Sequence, residues 1–154
     1  MMNSATQLLQ SYIEGPHDAA SVLSLFAEDG VLEAPYFATF GMPWQFKGHA
    51  ALAATFGHLP HIYPDLRFEN LRITCESDHV AVGEYEFIAT SAKTGRRVHQ
   101  LSNITVVEKR GRISLLREFQ NIAEIALALF ADGLAGVDIP VDRALRIGAY
   151  SGQS

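Results

Sequence analysis

Arg112-Ile113-Ser114-Leu115-Leu116-Arg117-Glu118-Phe119-Gln120-Asn121 is the stretch on which the reading of this chain turns. It follows the turn-like Lys109-Arg110-Gly111 and runs straight into Ile122-Ala123-Glu124-Ile125-Ala126-Leu127-Ala128-Leu129-Phe130. Taken as a strand, it alternates faces, so Leu116, Glu118 and Gln120 share one side while Leu115, Arg117 and Phe119 share the other. One side thus carries a carboxylate among apolar neighbours, next to the point where strand gives way to helix. If that side is buried, the carboxylate is costly unless it is paired, protonated or used.

Working backward, the period is two from Leu66 to Glu108. Leu66, Phe68, Leu71, Ile73 and Cys75 alternate broadly with polar residues, and Asn70 marks a bulge. Glu76-Ser77-Asp78 and Lys93-Thr94-Gly95-Arg96 have turn chemistry, which predicts successive antiparallel strands joined by tight hairpins. In the strand from Arg97, the residues His99, Leu101, Asn103 and Thr105 share one side, and Gln100, Ser102, Ile104 and Val106 the other. Both sides mix polar and apolar groups, as a polar-lined internal cavity or a sheet half covered by a partner subunit would require.

The first sixty residues read as three helices with a short strand and an irregular segment between the second and third. Ser4 is an N-cap for a helix carrying Leu8, Leu9, Tyr12 and Ile13, stopped by Gly15-Pro16. Asp18 caps a second, with Val22, Leu23, Leu25 and Phe26 on its apolar stripe, ended by Glu28-Asp29-Gly30. A short strand is expected over 31–37, with Glu33 on its exposed side and Pro35 marking an edge. Residues 39–48 are irregular yet rich in large apolar groups, including Trp44, and such loops cap a core or line a pocket mouth. A short Ala-rich helix from His49 to Phe56 is closed by Gly57-His58-Leu59-Pro60-His61. His58 and His61 lack a third ligand at fixed spacing, so no metal is assigned.

Composition bounds the function. With 154 residues, 48% hydrophobic and 19% charged, the chain fits one domain with a sizeable core. A formal net charge of -5 and a pI near 5.6 argue against nucleic-acid binding. Cys75, the single cysteine, precludes an intrachain disulfide and fits a reducing compartment. No apolar run reaches the length of a membrane span, and the opening Met1-Met2-Asn3-Ser4-Ala5-Thr6 lacks the features of a secretory signal, so a cytoplasmic protein without membrane contact is expected. No phosphate loop, nucleophile elbow or dinucleotide fingerprint is present, and no cofactor is assigned.

Helices followed by a curved antiparallel meander predict an α+β domain in which the sheet wraps around the helices. In order of elements over residues 5–130, the chain resembles the NTF2-like superfamily, the cone-shaped fold of ketosteroid isomerase and the SnoaL-type polyketide cyclases. Leu25-Phe26-Ala27-Glu28-Asp29-Gly30, Phe46-Lys47-Gly48-His49 and Arg117-Glu118-Phe119 carry the likeness. The domain is read as 1–131, with 132–154 a tail lying on the domain or on a partner subunit. Within the superfamily, Tyr63-Pro64-Asp65-Leu66, Arg117-Glu118-Phe119-Gln120-Asn121 and Ile139-Pro140-Val141-Asp142-Arg143 resemble motifs of the phenazine-biosynthesis A/B proteins. There the glutamate of Arg-Glu-Phe is a cavity acid, which makes Glu118 the candidate general acid.

Departures from these families narrow the chemistry. The histidine and serine that the phenazine proteins use fall on Thr55 and Leu59 here, with His58 one turn from Thr55. The aspartate base of ketosteroid isomerase falls on Ala34, which rules out that mechanism on this alignment, whereas Tyr12 matches its first-helix tyrosine. The resemblance thus implies a cone cavity with Glu118 as a catalytic candidate, and the physical reading adds His99 as a second proton-transfer group across it. Tyr12, Tyr36, Trp44 and Phe56 are substrate-binding candidates, as are His58, Asn103, Leu116 and Gln120. Two readings stay open: a cofactor-independent acid/base enzyme acting on a small apolar metabolite (an isomerase, cyclase, dehydratase or condensation type), or a non-catalytic ligand-binding or dimerisation domain. A homodimer through the exposed side of the sheet is expected from the resemblance.

Overall fold

The computed structural model describes residues 2–137. The tail motif 139–143 and most of the 132–154 segment therefore lie outside the described residues. Helix α1 (Ala5–Glu14) opens with Ser4 accepting from Gln7 N–H while the Gln7 side chain reaches back to the Ser4 amide, a reciprocal cap. Helix α2 (Ala19–Leu23) is capped by Asp18. After it come β1 (Phe26–Glu33), a 3-10 turn (Pro35–Phe40), β2 (Gln45–Lys47) and α3 (Gly48–Ile62). The meander β3 (Arg67–Glu76), β4 (Val80–Thr90), β5 (Arg97–Lys109) and β6 (Arg112–Phe119) leads into α4 (Ile122–Leu129) and a last 3-10 turn, Gly133–Gly136.

The six strands form one sheet in the order β2-β1-β6-β5-β4-β3. This is a mixed α+β fold with a curved, open sheet, as an NTF2-like cone has. The core lies between its concave side and α1, α3 and α4. The meander follows the expected hairpins. Asn70, with φ of 56°, sits where the β3–β4 register slips, and Arg110 and Gly111, with φ of 55° and 76°, make the last turn. One pairing is not antiparallel: β1 runs parallel to β6. Among the described residues, no helix is long and apolar enough to cross a membrane.

Three local expectations are corrected. Phe26 begins a strand rather than ending the second helix, because pairing with Ile113 and packing against the Phe56 ring, 5.8 Å between centroids, outweigh the helical spacing of Val22, Leu23 and Phe26. Gly30 permits that pairing, since a Cβ there would stand 2.8 Å from the Ile113 carbonyl oxygen. The strand then stops at Glu33, and Pro35 starts the 3-10 turn with its fixed φ.

Helix α3 does not close at Gly57. It continues through Pro60 to Ile62, so Phe56, Leu59 and Ile62 extend one apolar stripe against the core. Pro60 has no N–H to offer the Phe56 carbonyl, and burial of the stripe outweighs that loss.

Glu33 is the third correction. It is fully buried, at 0% exposure, rather than on an exposed side. Strand register sets it between Gln45 of β2 and Arg117 of β6. Gln45 Nε2 donates to Oε1 at 2.9 Å and Arg117 Nε to Oε2 at 2.7 Å. A buried carboxylate is tolerated there because each oxygen has a donor and one donor is a cation.

Candidate functional site

Register decides which side of β5 and β6 faces the core. Ile104 pairs with Glu118 and Tyr85 of β4 pairs with Ser102. Gln100, Ser102, Ile104 and Val106 are all buried, so the even-numbered residues of β5 point inward. On β6 the inward set is Ile113, Leu116 and Glu118. Ile113 and Leu116 share a side because Ser114 is an extra residue opposite the Val107–Glu108 step.

Glu118 therefore projects into the concave interior at the end of its strand, and is 7% exposed. Its Oε1 accepts from the Tyr12 hydroxyl at 3.2 Å and from the Tyr85 hydroxyl at 3.0 Å. Its Oε2 has a longer contact, 3.3 Å, from Gln120 Nε2. Tyr12 comes from the inner stripe of α1 and Tyr85 from β4, on either side of the carboxyl. Phe68 touches both rings, at 5.9 Å and 4.9 Å between centroids. The phenols are fixed by packing before any ligand arrives.

Burial pushes the Glu118 carboxyl above its ordinary value, while the three hydrogen bonds, Tyr85 first, pull the other way without cancelling it. Burial also drives Tyr12 and Tyr85 well above the usual phenol value, and the negative charge that Glu118 can carry adds to this. Both phenols are thus neutral donors. With two donors on Oε1, that oxygen takes the carbonyl role in the protonated form, in which Oε2 carries the proton.

The acid opens on a cavity of about 430 Å³. Its walls are aromatic and aliphatic: Phe37, Met42, Pro43 and Phe46 from the segment between β1 and α3, then Thr55, Phe56, His58, Leu59 and Ile62 from α3. Tyr63, Phe68 and Phe87 line a third side, and Ile125 and Leu129 of α4 a fourth. Tyr63 is a neutral phenol, pushed up to about 12 by burial. Among the described residues, no three His, Cys, Asp or Glu side chains are grouped to hold a metal ion.

Of the residues singled out from sequence, Glu118, Tyr12, Phe56, His58 and Gln120 line this cavity together. Thr55, Leu59 and Ala34, the positions singled out as departures in the sequence, line it as well. The others lie elsewhere. His99 is on the outward side of β5, where Nε2 meets Glu86 Oε2 at 3.2 Å, and Asn103 shares that outward side. Tyr36 is exposed and packs on Phe119, on the side of β6 opposite Glu118. Leu116 is core beside the cavity rather than part of its wall. Trp44 gives its carbonyl to the Ala34 amide at 2.7 Å, and its neighbours Pro43 and Phe46 line the cavity where it does not. Tyr85 is the residue that sequence reading missed. Its signal was the alternation Ala81, Gly83, Tyr85, Phe87 opposite Glu84 and Glu86.

The sequence model of the SnoaL-like domain matches residues 9–115. No curated protein matches the chain. A phenazine biosynthesis-related protein from Pseudomonas aeruginosa is similar over 94% of this chain and 91% of its own, at 20% identity and a TM-score of 0.69. An NTF2-like protein from Burkholderia pseudomallei is similar over 84% of this chain and 100% of its own, at 21% identity and a TM-score of 0.72. A Xanthomonas campestris protein assigned as a polyketide cyclase is similar over 80% and 95%, at 18% identity and a TM-score of 0.68. At such identities the likeness is one of fold.

Proposed function

Because this chain belongs to the SnoaL-like domain family, we propose that it is a cofactor-independent enzyme that binds a small, largely apolar metabolite in the cavity and exchanges protons with it through Glu118. One observation carries the reading: a carboxyl whose proton is favoured by burial faces a largely apolar cavity, with two neutral phenols fixed on its Oε1. A general acid working near neutrality needs its carboxyl held above the ordinary range, and desolvation supplies that. Oε2 delivers the proton to a basic atom of the substrate. The carboxylate left behind is stabilised by Tyr12 and Tyr85 on one oxygen and Gln120 on the other. The same carboxylate then removes a proton from a second atom of the substrate, so an isomerisation, cyclisation or dehydration closes with the enzyme restored.

A non-catalytic binding domain is the second reading. It is favoured by the outward placement of His99, which takes the second catalytic candidate out of the cavity wall. Titration of the Glu118 carboxyl carbon by NMR, assigned with Glu118→Gln, separates the two. A midpoint above the ordinary value, about 4.3, supports the acid. A midpoint at or below it favours the binding domain. On a turned-over substrate, Glu118→Gln is expected to lower kcat by about 10²–10⁴, the usual worth of a general acid. Retained turnover removes Glu118 from the chemistry.

We also infer a homodimer through the outward side of β3–β6. Leu101 is 64% exposed there, beside the ion pair of Arg72 with Glu84 and the hydrogen-bonded His99 and Glu86. A surface carrying both signs can face a copy of itself across a two-fold axis.

A further inference from the structure

The β4–β5 turn touches neither Glu118 nor the cavity, yet it binds the ends of two helices that line it, α3 and α4. The Ala92 amide donates to the Ile62 carbonyl, the last of α3, at 2.9 Å. Thr94 Oγ1 donates to the Ala128 carbonyl of α4 at 2.5 Å. Arg96 spans three further carbonyls: Nη1 donates to Leu127 at 3.0 Å and to Phe130 at 3.1 Å, and Nη2 to Ala131 at 2.8 Å. Gly95, with φ of 72°, makes the tight turn that brings these side chains forward.

These contacts bear on a helix that cannot hold itself. Helix α4 has eight residues, too few to persist alone, and no basic residue in its last turn to meet the carbonyls and the negative end of its dipole. Its start is secured by the Asn121 cap and by the Asn121 amide donating to Gln100 Oε1 at 2.6 Å. Its end is packed by Ala128 in the core and by Phe130 on the Phe40 ring, 5.7 Å between centroids, and its last carbonyls are met by Thr94 and Arg96. Leu129, in that last turn, and Ile125, one turn earlier, are the α4 residues that line the cavity.

We propose that the Ser91–Arg96 turn is a latch that clasps α4 to α3, with Arg96 the positioning residue that keeps the cavity shut on this side and so keeps Glu118 dry. This rests on the acid reading of Glu118 and adds a means of control: α4 opens from its C-terminal end, at Leu129, while Asn121 holds the other end. Arg96 acts through the helix and touches no reacting atom.

The test uses the full chain with Arg96→Met, which keeps the stem and removes the guanidinium, and Thr94→Val as an independent second variant. Amide hydrogen exchange is followed in α4 and α1, and the Glu118 carboxyl is titrated in parallel. In Arg96→Met the Leu129 and Phe130 amides are expected to lose protection about tenfold or more, the scale of hydrogen bonds from a charged donor. Amides of α1 keep theirs, and the Glu118 midpoint falls toward the ordinary carboxyl value as water enters. Thr94→Val shows the same pattern more weakly. Unchanged α4 protection, or equal loss in α1 and α4, overturns the latch, as does a frayed α4 with the Glu118 midpoint unmoved. If Glu118 titrates at the ordinary value in the unaltered protein, the acid reading falls instead, and α4 protection still decides whether the turn clasps the helix.

Discussion

Replacing Tyr85 with Phe tests the carboxyl network most directly. The change deletes a hydroxyl that donates to Glu118 Oε1 at 3.0 Å and leaves the ring that packs on Phe68. A hydrogen bond to an ionised acceptor is worth about 1.5–3 kcal/mol and one to a neutral acceptor about 0.5–1.5 kcal/mol. The titration senses the difference, roughly 1 kcal/mol, or a little under one pH unit at about 1.36 kcal/mol per unit. The Glu118 midpoint is therefore expected to rise further in Tyr85→Phe, read from its carboxyl carbon by NMR. Tyr12→Phe, which removes a 3.2 Å contact, should give a smaller rise. In the double variant the rise should exceed the sum of the two, because either phenol can tighten on Oε1 when the other is gone.

The same change has a signed effect on stability. Glu118 binds its proton more tightly folded than unfolded, so its contribution is complete below the unfolded value and is lost as pH rises through the folded one. Tyr85→Phe moves that upper limit upward. Urea denaturation should show it costing about 1 kcal/mol at acid pH, where a neutral hydrogen bond is lost, and roughly 1 kcal/mol more at alkaline pH, where the lost bond was to a carboxylate. A Glu118 midpoint that stays put or falls in Tyr85→Phe would refute the network, since a phenol donating to a carboxylate cannot be removed without favouring the protonated form.

Arg117→Met leaves Glu33 buried with the neutral amide of Gln45 in place of a cation, and is expected to cost about 3 kcal/mol in urea denaturation at neutral pH. That is the low end for breaking a buried pair, since the arginine is 20% exposed; a loss under about 1 kcal/mol would mean that Glu33 does not depend on the guanidinium. Leu101→Asp places a charge at the centre of the inferred dimer face and is expected to yield a monomer by light scattering, with the Glu118 titration unchanged. A dimer that survives it moves the interface elsewhere.

The cavity position of Glu118 was legible in the sequence because strand period two puts it on the side of Leu116, and that of Tyr12 because it stands on a helical apolar stripe. Both signals are local. His99 and Asn103 stand on an equally regular alternation, yet which side of β5 faces inward depends on Ile104 standing opposite Glu118, a register that no stretch of β5 states by itself. Tyr85 went unseen for the related reason that its partner is 33 residues away across an intervening strand. Glu33 reads as a surface charge until the parallel β1–β6 pairing, joining segments 84 residues apart, delivers Arg117 to it. Gly57 and Pro60 read as a helix end because their propensities are local, whereas the stripe that carries α3 to Ile62 is rewarded only by the sheet beneath it.

The balance at Glu118 argues for a working acid over a structural one. Glu33 shows how this fold keeps a carboxylate for structure: each oxygen has a close donor and a guanidinium lies at 2.7 Å. Glu118 is buried almost as deeply and receives only neutral donors, two of them crowded on one oxygen. Burial wins there, and the fold carries a group that costs stability once it ionises. Glutamine in its place keeps the acceptor oxygen for both phenols and sheds that cost. Glu118→Gln should accordingly be more stable than the unaltered chain at alkaline pH, with the advantage shrinking as pH falls through the folded midpoint and gone below about 4.3. On the proposed acid reading, Glu118, with Tyr12 and Tyr85 aimed at it, gives up stability for a proton that can move.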